Sequence, residues 1–192
     1  MNDLDRGRAA CLAGLLLLSA PAFGADTCRV KAVLGGTPVT MTHCAAAVYE
    51  GEHSVTLWFS DSPFSAKEVA EFQENSAPSD KTADGKSRTL IHFAFCPGGG
   101  ESAASAGAVK SVETGINVAG APFSGRQWVL ELPKDKEILK IAKLSGTAAP
   151  GGKLSGLFTG GKISDGLKYS WEAAFDLTLP AKSAFGGVTC GK

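Results

Sequence analysis

A chain of 192 residues with 19 basic and 19 acidic side chains carries no net charge at pH 7. It therefore lacks the overall field that holds a polyanion by counterion release, which argues against nucleic acid and anionic membrane surfaces as partners. The 24 glycines, many of them paired, punctuate the chain into short elements.

The first such element is apolar, Ala9 to Ala20, with Leu15 to Leu18 inside it. It falls short of the about 20 residues a spanning helix needs and has the length of a signal-peptide core. Small residues at Ala22 and Gly24 place cleavage after Gly24, with Ala20-Pro21-Ala22 as an alternative site. Asp3 and Asp5 offset Arg6 and Arg8, an imperfect start for a bacterial-type signal, and neither Cys11 nor Cys28 sits in a lipidation box. Residues 1–24 are thus expected to be a cleaved signal peptide and residues 25–192 a single exported β domain, periplasmic or secreted. No later segment is long and apolar enough to suggest stable membrane insertion.

Beyond the signal, apolar and polar residues alternate with the period of a half-buried strand. Val39 to Tyr49 and the run Val55, Leu57, Phe59 come first. Ser65, three residues before Glu68, is a capping box that predicts a short helix near 65–74. Residues 76–87 read as a polar loop. Leu90 to Phe95 is apolar on both faces, as a covered central strand would be. Ala108 to Val118, the run Trp128, Leu130, Leu132, then Ile138 to Leu144 and Leu154 to Thr159 follow. The longest alternation runs from Leu167 to Leu179 and stops at Pro180. Short strands, Gly-rich turns and one small helix point to an all-β fold: an antiparallel β-sandwich, Ig-like or similar, with a closed antiparallel β-barrel as the alternative.

Four cysteines remain after signal removal: Cys28, Cys44, Cys96 and Cys190. In an exported chain they are expected to form disulfides. Cys28 and Cys44 are symmetric about Gly36, so a hairpin turning at Gly35-Gly36-Thr37 would set them face to face. That favours Cys28–Cys44 with Cys96–Cys190 over the competing scheme, Cys28–Cys190 with Cys44–Cys96. A metal site is disfavoured, because His43 and Cys44 point to opposite faces of a strand and no Cys-x-x-Cys or His-x-x-x-His spacing occurs. Neither a metal nor a cofactor is expected.

Catalytic constellations are equally thin. Only His43, His53 and His92 are present, and there is no Gly-x-Ser-x-Gly nucleophile elbow. Glu68, Glu71 and Glu74 follow one side of the predicted helix and read as a solvated face. Trp58 lies opposite the Val55 and Phe59 face. It is either an exposed aromatic contact for a sugar or protein, or covered by a second layer. The expectation is an exported non-enzymatic domain that binds an unknown protein or small molecule, or serves an accessory role. The alternatives are a periplasmic hydrolase using His43 or His92, and an inhibitor of a secreted or periplasmic hydrolase.

Overall fold

Alternating side chains build ten strands in the computed structural model, which describes residues 26–49, 54–72, 78–98, 103–120, 126–132, 134–181 and 190. They are β1 (Thr27–Leu34), β2 (Thr37–Met41), β3 (His43–Val48), β4 (Val55–Ser60), β5 (Leu90–Phe95), β6 (Ser111–Asn117), β7 (Arg126–Glu131), β8 (Leu139–Gly146), β9 (Lys153–Ser164) and β10 (Leu167–Thr178). One helix, α1 (Ala66–Phe72), lies between β4 and β5. The expected signal peptide, His53 and Glu74 lie outside the described residues.

The strands form two five-stranded antiparallel sheets, β2-β1-β10-β9-β8 and β3-β4-β5-β6-β7. Here they are called the first and second sheets. The fold is a β-sandwich, but its wiring is not the Greek key of immunoglobulin domains. Successive strands pair within each sheet, the chain changes sheet between β2 and β3 and between β7 and β8, and β1 pairs with β10. This is the order of an up-and-down barrel. It stays open because β2 does not hydrogen-bond to β3, nor β7 to β8.

Two glycine-containing turns make the tight hairpins. Gly35 and Gly36 between β1 and β2, and Asp165 and Gly166 between β9 and β10, all have positive φ. A two-residue type I′ turn requires that at both positions. The β1–β2 turn is therefore one residue shorter than the three-residue loop the sequence suggested, with Leu34 opposite Thr37. The Val39 to Tyr49 run is also not one strand: it breaks at Thr42, where the chain crosses between sheets.

Inward-facing rings fill the space between the sheets. Phe158 on β9 meets Phe93 at 5.4 Å, Phe95 at 5.2 Å and Phe175 at 5.5 Å between ring centroids. These fully or nearly buried rings contribute area-driven stabilisation plus favourable edge-on geometry. Gly160 leaves room for the Trp171 ring, whose Cζ2 would lie 2.9 Å from an added Cβ. At the open β7–β8 side, Trp128 packs on Tyr169 and Trp171, and Arg126 bridges to Asp165 of the first sheet at 2.6 Å.

Disulfides reinforce both ends. Cys28 bonds to Cys44 with a Cα–Cα distance of 6.3 Å, and Cys96 to Cys190 at 5.6 Å. The first is not the cross-strand link of a hairpin that spacing suggested. Cys44 lies on β3, so the bond staples the two sheets together across the Thr42 crossover.

Candidate functional site

The outer faces of the two sheets differ. That of the first sheet is open, whereas every residue of β4 is buried on both faces. A second small cluster covers the outer side of β3 and β4: Ala45, Ala47, Tyr49, Trp58 and Phe72, with Phe64 packed against them. Trp58 is only 5% exposed, and its ring centroid is 4.7 Å from that of Phe72. The exposed-contact reading of Trp58 is thereby corrected. Strand alternation put the side chain on the outer face correctly, but α1 roofs that face.

The roof is assembled from local signals. Ser65 caps α1 as its spacing predicted: the Glu68 amide donates to Ser65 Oγ at 3.2 Å, and the Ser65 amide donates to Glu68 Oε2 at 2.8 Å. The helix ends as described at Phe72, whose ring supplies its one buried side chain. Opposite it, residues 79–88 fold back on themselves through a Lys81–Ser87 bridge, and the Thr82 amide donates to Lys86 O at 2.8 Å. The described part of the polar 76–87 loop is thus an ordered turn.

Arg88 locks the two pieces together. Its side chain is 0% exposed, and its Nη2 donates to Glu68 Oε1 and, at 2.7 Å, to the Lys81 carbonyl. The guanidinium carbon lies 5.4 Å from the Phe64 ring centroid, in cation–π range. Arg88 Nε and Nη1 are buried without a hydrogen-bond partner among the described residues. Glu68, only 13% exposed, is therefore not part of a solvated acidic face. Burial would raise its pKa, but hydrogen bonds from Ser65 and the Arg88 charge outweigh that and hold it below the ordinary value. Glu71 does face water, 3.6 Å from Lys67.

Between α1 and the 79–88 turn runs a groove of about 490 Å³, with Phe64, Ser65 and Glu68 on one wall and Ala83, Asp84 and Lys86 among those on the other. Asp84 is held at a pKa of about 2, chiefly by the hydrogen bond from Lys86 and then by that from Thr82. The groove is thus hydroxyl-rich, has one aromatic wall, and carries charges already matched to each other.

The two described histidines, His43 and His92, do not converge. His43 sits opposite Ser60 on β3, while His92 lies opposite Trp58 on β5, one strand further across and in a different lateral row. Two strand spacings across and two residues along put the two backbones about 12 Å apart. His92 rests across Gly115, where an added Cβ would come within 2.2 Å of its Cε1. Its Nε2 is 3.9 Å from Glu113 Oε1, beyond hydrogen-bond reach, and Gln127 donates to the same carboxylate. Burial lowers the His92 pKa, partly offset by Glu113. The niche beside it, about 140 Å³, is lined by Trp58, Pro78, Leu90, His92, Gly115, Ile116 and Asn117, with no hydroxyl or thiol among these described residues. Among the described residues no three His, Cys, Asp or Glu side chains cluster as metal ligands would.

The sequence reading missed Arg88 altogether. Its partner is twenty positions away, and no spacing rule links a loop arginine to a helix-capping glutamate. No family model, curated protein or solved structure matches this chain.

Proposed function

We propose that this chain is an exported, non-enzymatic binding domain whose ligand lies in the groove between α1 and the 79–88 turn. The observation that carries this reading is the buried Arg88–Glu68 pair. Burying a guanidinium whose Nε and Nη1 meet no acceptor among the described residues is costly, and the sandwich core does not need it. What it does is hold the two groove walls at a fixed separation. Rigid walls around a volume in the range of small-molecule sites suit a polar ligand or a short peptide segment. Two disulfides support an oxidising compartment, hence export. Among the described residues, the lining of the His92 niche carries no hydroxyl or thiol that could serve as a nucleophile.

Thermal denaturation of the purified chain against panels of saccharides and short peptides tests the reading. A ligand should raise the melting temperature by mass action, and Ala83→Arg, which fills the groove without touching the lock, should abolish the shift. A shift that survives Ala83→Arg would refute the site. Turnover of a chromogenic ester, peptide or glycoside that His92→Ala abolishes would replace the reading with the hydrolase.

One observation favours the inhibitor as a second reading. The Thr82–Lys86 turn is largely exposed yet braced internally, with Thr82 Oγ1 bonding Asp84 and Lys86 Nζ lying 2.6 Å from Asp84 Oδ2. Stoichiometric inhibition of a hydrolase, weakened by Asp84→Ala, would select it.

A further inference from the structure

The whole-chain charge balance conceals an uneven distribution. The outer face of the first sheet presents Arg29, Lys31, Lys140, Lys143, Lys153 and Lys168, all exposed, against only Glu172 and Asp176. None of the six cations is within ion-pair distance of a carboxylate among the described residues.

Register fixes their arrangement. One lateral row reads Lys31, Glu172, Thr159, Lys140 across β1, β10, β9 and β8, and the next reads Arg29, Ala174, Leu157, Lys143. Basic side chains on β1 and β8 therefore stand about 14 Å apart, three strand spacings. The floor between them is Glu172 and Ala174 on β10 with Thr159 and Leu157 on β9. Lysine on an exposed edge such as β8 also discourages edge-to-edge pairing, but β1 and β10 are interior strands and need no such protection.

We infer that this face docks an acidic polypeptide surface. Charge complementarity names the sign of the partner. The two carboxylates on β10 name its class: they would be pressed against the continuous negative field of a lipid bilayer or nucleic acid. A protein surface can place a cation or a neutral donor opposite them. The face also carries none of the aromatic side chains that stack on sugars or bases. The argument against polyanions from zero net charge does not apply to this face, which has its own local field.

The test uses the full, disulfide-bonded chain and immobilised poly-L-glutamate as the probe. The unmodified protein should be retained at low salt and released as salt rises. Arg29→Gln/Lys140→Gln/Lys143→Gln should weaken binding about tenfold, whereas Lys67→Gln/Lys110→Gln/Lys134→Gln, an equal charge change elsewhere, should change it less than about twofold. Melting curves confirm folding, and Lys31→Gln/Lys153→Gln provides a second face variant should the first fail to fold. No retention, equal losses from both triple variants, or tighter binding to phosphatidylglycerol vesicles or duplex DNA than to poly-L-glutamate would overturn the proposal.

Discussion

Arg88 and Glu68 form an ion pair in which the guanidinium is wholly buried and the carboxylate also serves as the reciprocal partner of a helix cap. The pair thus couples a tertiary contact to a local one. Glu68→Ala removes both and strands a buried cation, so it should destabilise the fold by about 3–5 kcal/mol. Ser65→Ala removes only capping bonds and should cost about 1 kcal/mol. Urea denaturation separates the two. A Glu68→Leu/Arg88→Met double variant should recover most of the loss, because apolar replacement removes both desolvation penalties. Equal losses in the two single variants would mean that the cap, not the pair, holds the roof.

The same carboxylate predicts a pH dependence. A depressed folded-state pKa means that the unfolded chain binds the proton more readily. The stabilisation is fully present above the unfolded value of about 4.3 and is lost as pH falls through the lower folded value. His92 adds a second window. Its folded pKa is lowered by burial, so the unfolded chain again binds more protons, and stability falls as pH drops below about 6.5. Stability measured from pH 8 downward should therefore decline in two stages. His92→Gln should remove the upper stage and Glu68→Gln the lower, and a curve unchanged by either would contradict the assignment.

The disulfides should rank by loop length. In the chain-entropy view the 16-residue link Cys28–Cys44 contributes about 3 kcal/mol and the 94-residue link Cys96–Cys190 about 4.5 kcal/mol. Paired Cys→Ser replacement of each, followed by denaturant titration, should give that order. The reverse order would show that stapling the two sheets at the Thr42 crossover matters more than closing the long loop.

How much of this was legible in the sequence depended on the range of each interaction. The α1 cap is local, and Ser65 with Glu68 announced it. The strands were legible too, since alternation from Leu167 to Leu179 has one reading and β10 follows it. Cysteine spacing anticipated the bonded pairs but not their geometry, because nothing in the residues marks Thr42 as the point where the chain changes sheets. Trp58 shows the same limit: periodicity assigns a side chain to a face, but what covers that face is settled by a helix and a turn elsewhere. Arg88 was invisible for the opposite reason. An arginine in a polar loop is ordinarily solvated, and only the assembled roof removes it from water.

Gly115 and His92 offer the sharpest test of packing on the outer face of the second sheet. They are directly opposed on β6 and β5, and the imidazole lies where a Gly115 Cβ would project. Gly115→Ala should force the ring off its resting place and cost about 1–3 kcal/mol by overpacking. Removing the ring first should relieve that cost, so His92→Ala/Gly115→Ala should be much less destabilised than the sum of the single variants. A double-mutant cycle with a coupling of about 1 kcal/mol or more confirms the contact. Simple additivity would mean that the ring moves aside freely, and His92 would then titrate as an ordinary surface imidazole in a nuclear magnetic resonance experiment on Gly115→Ala.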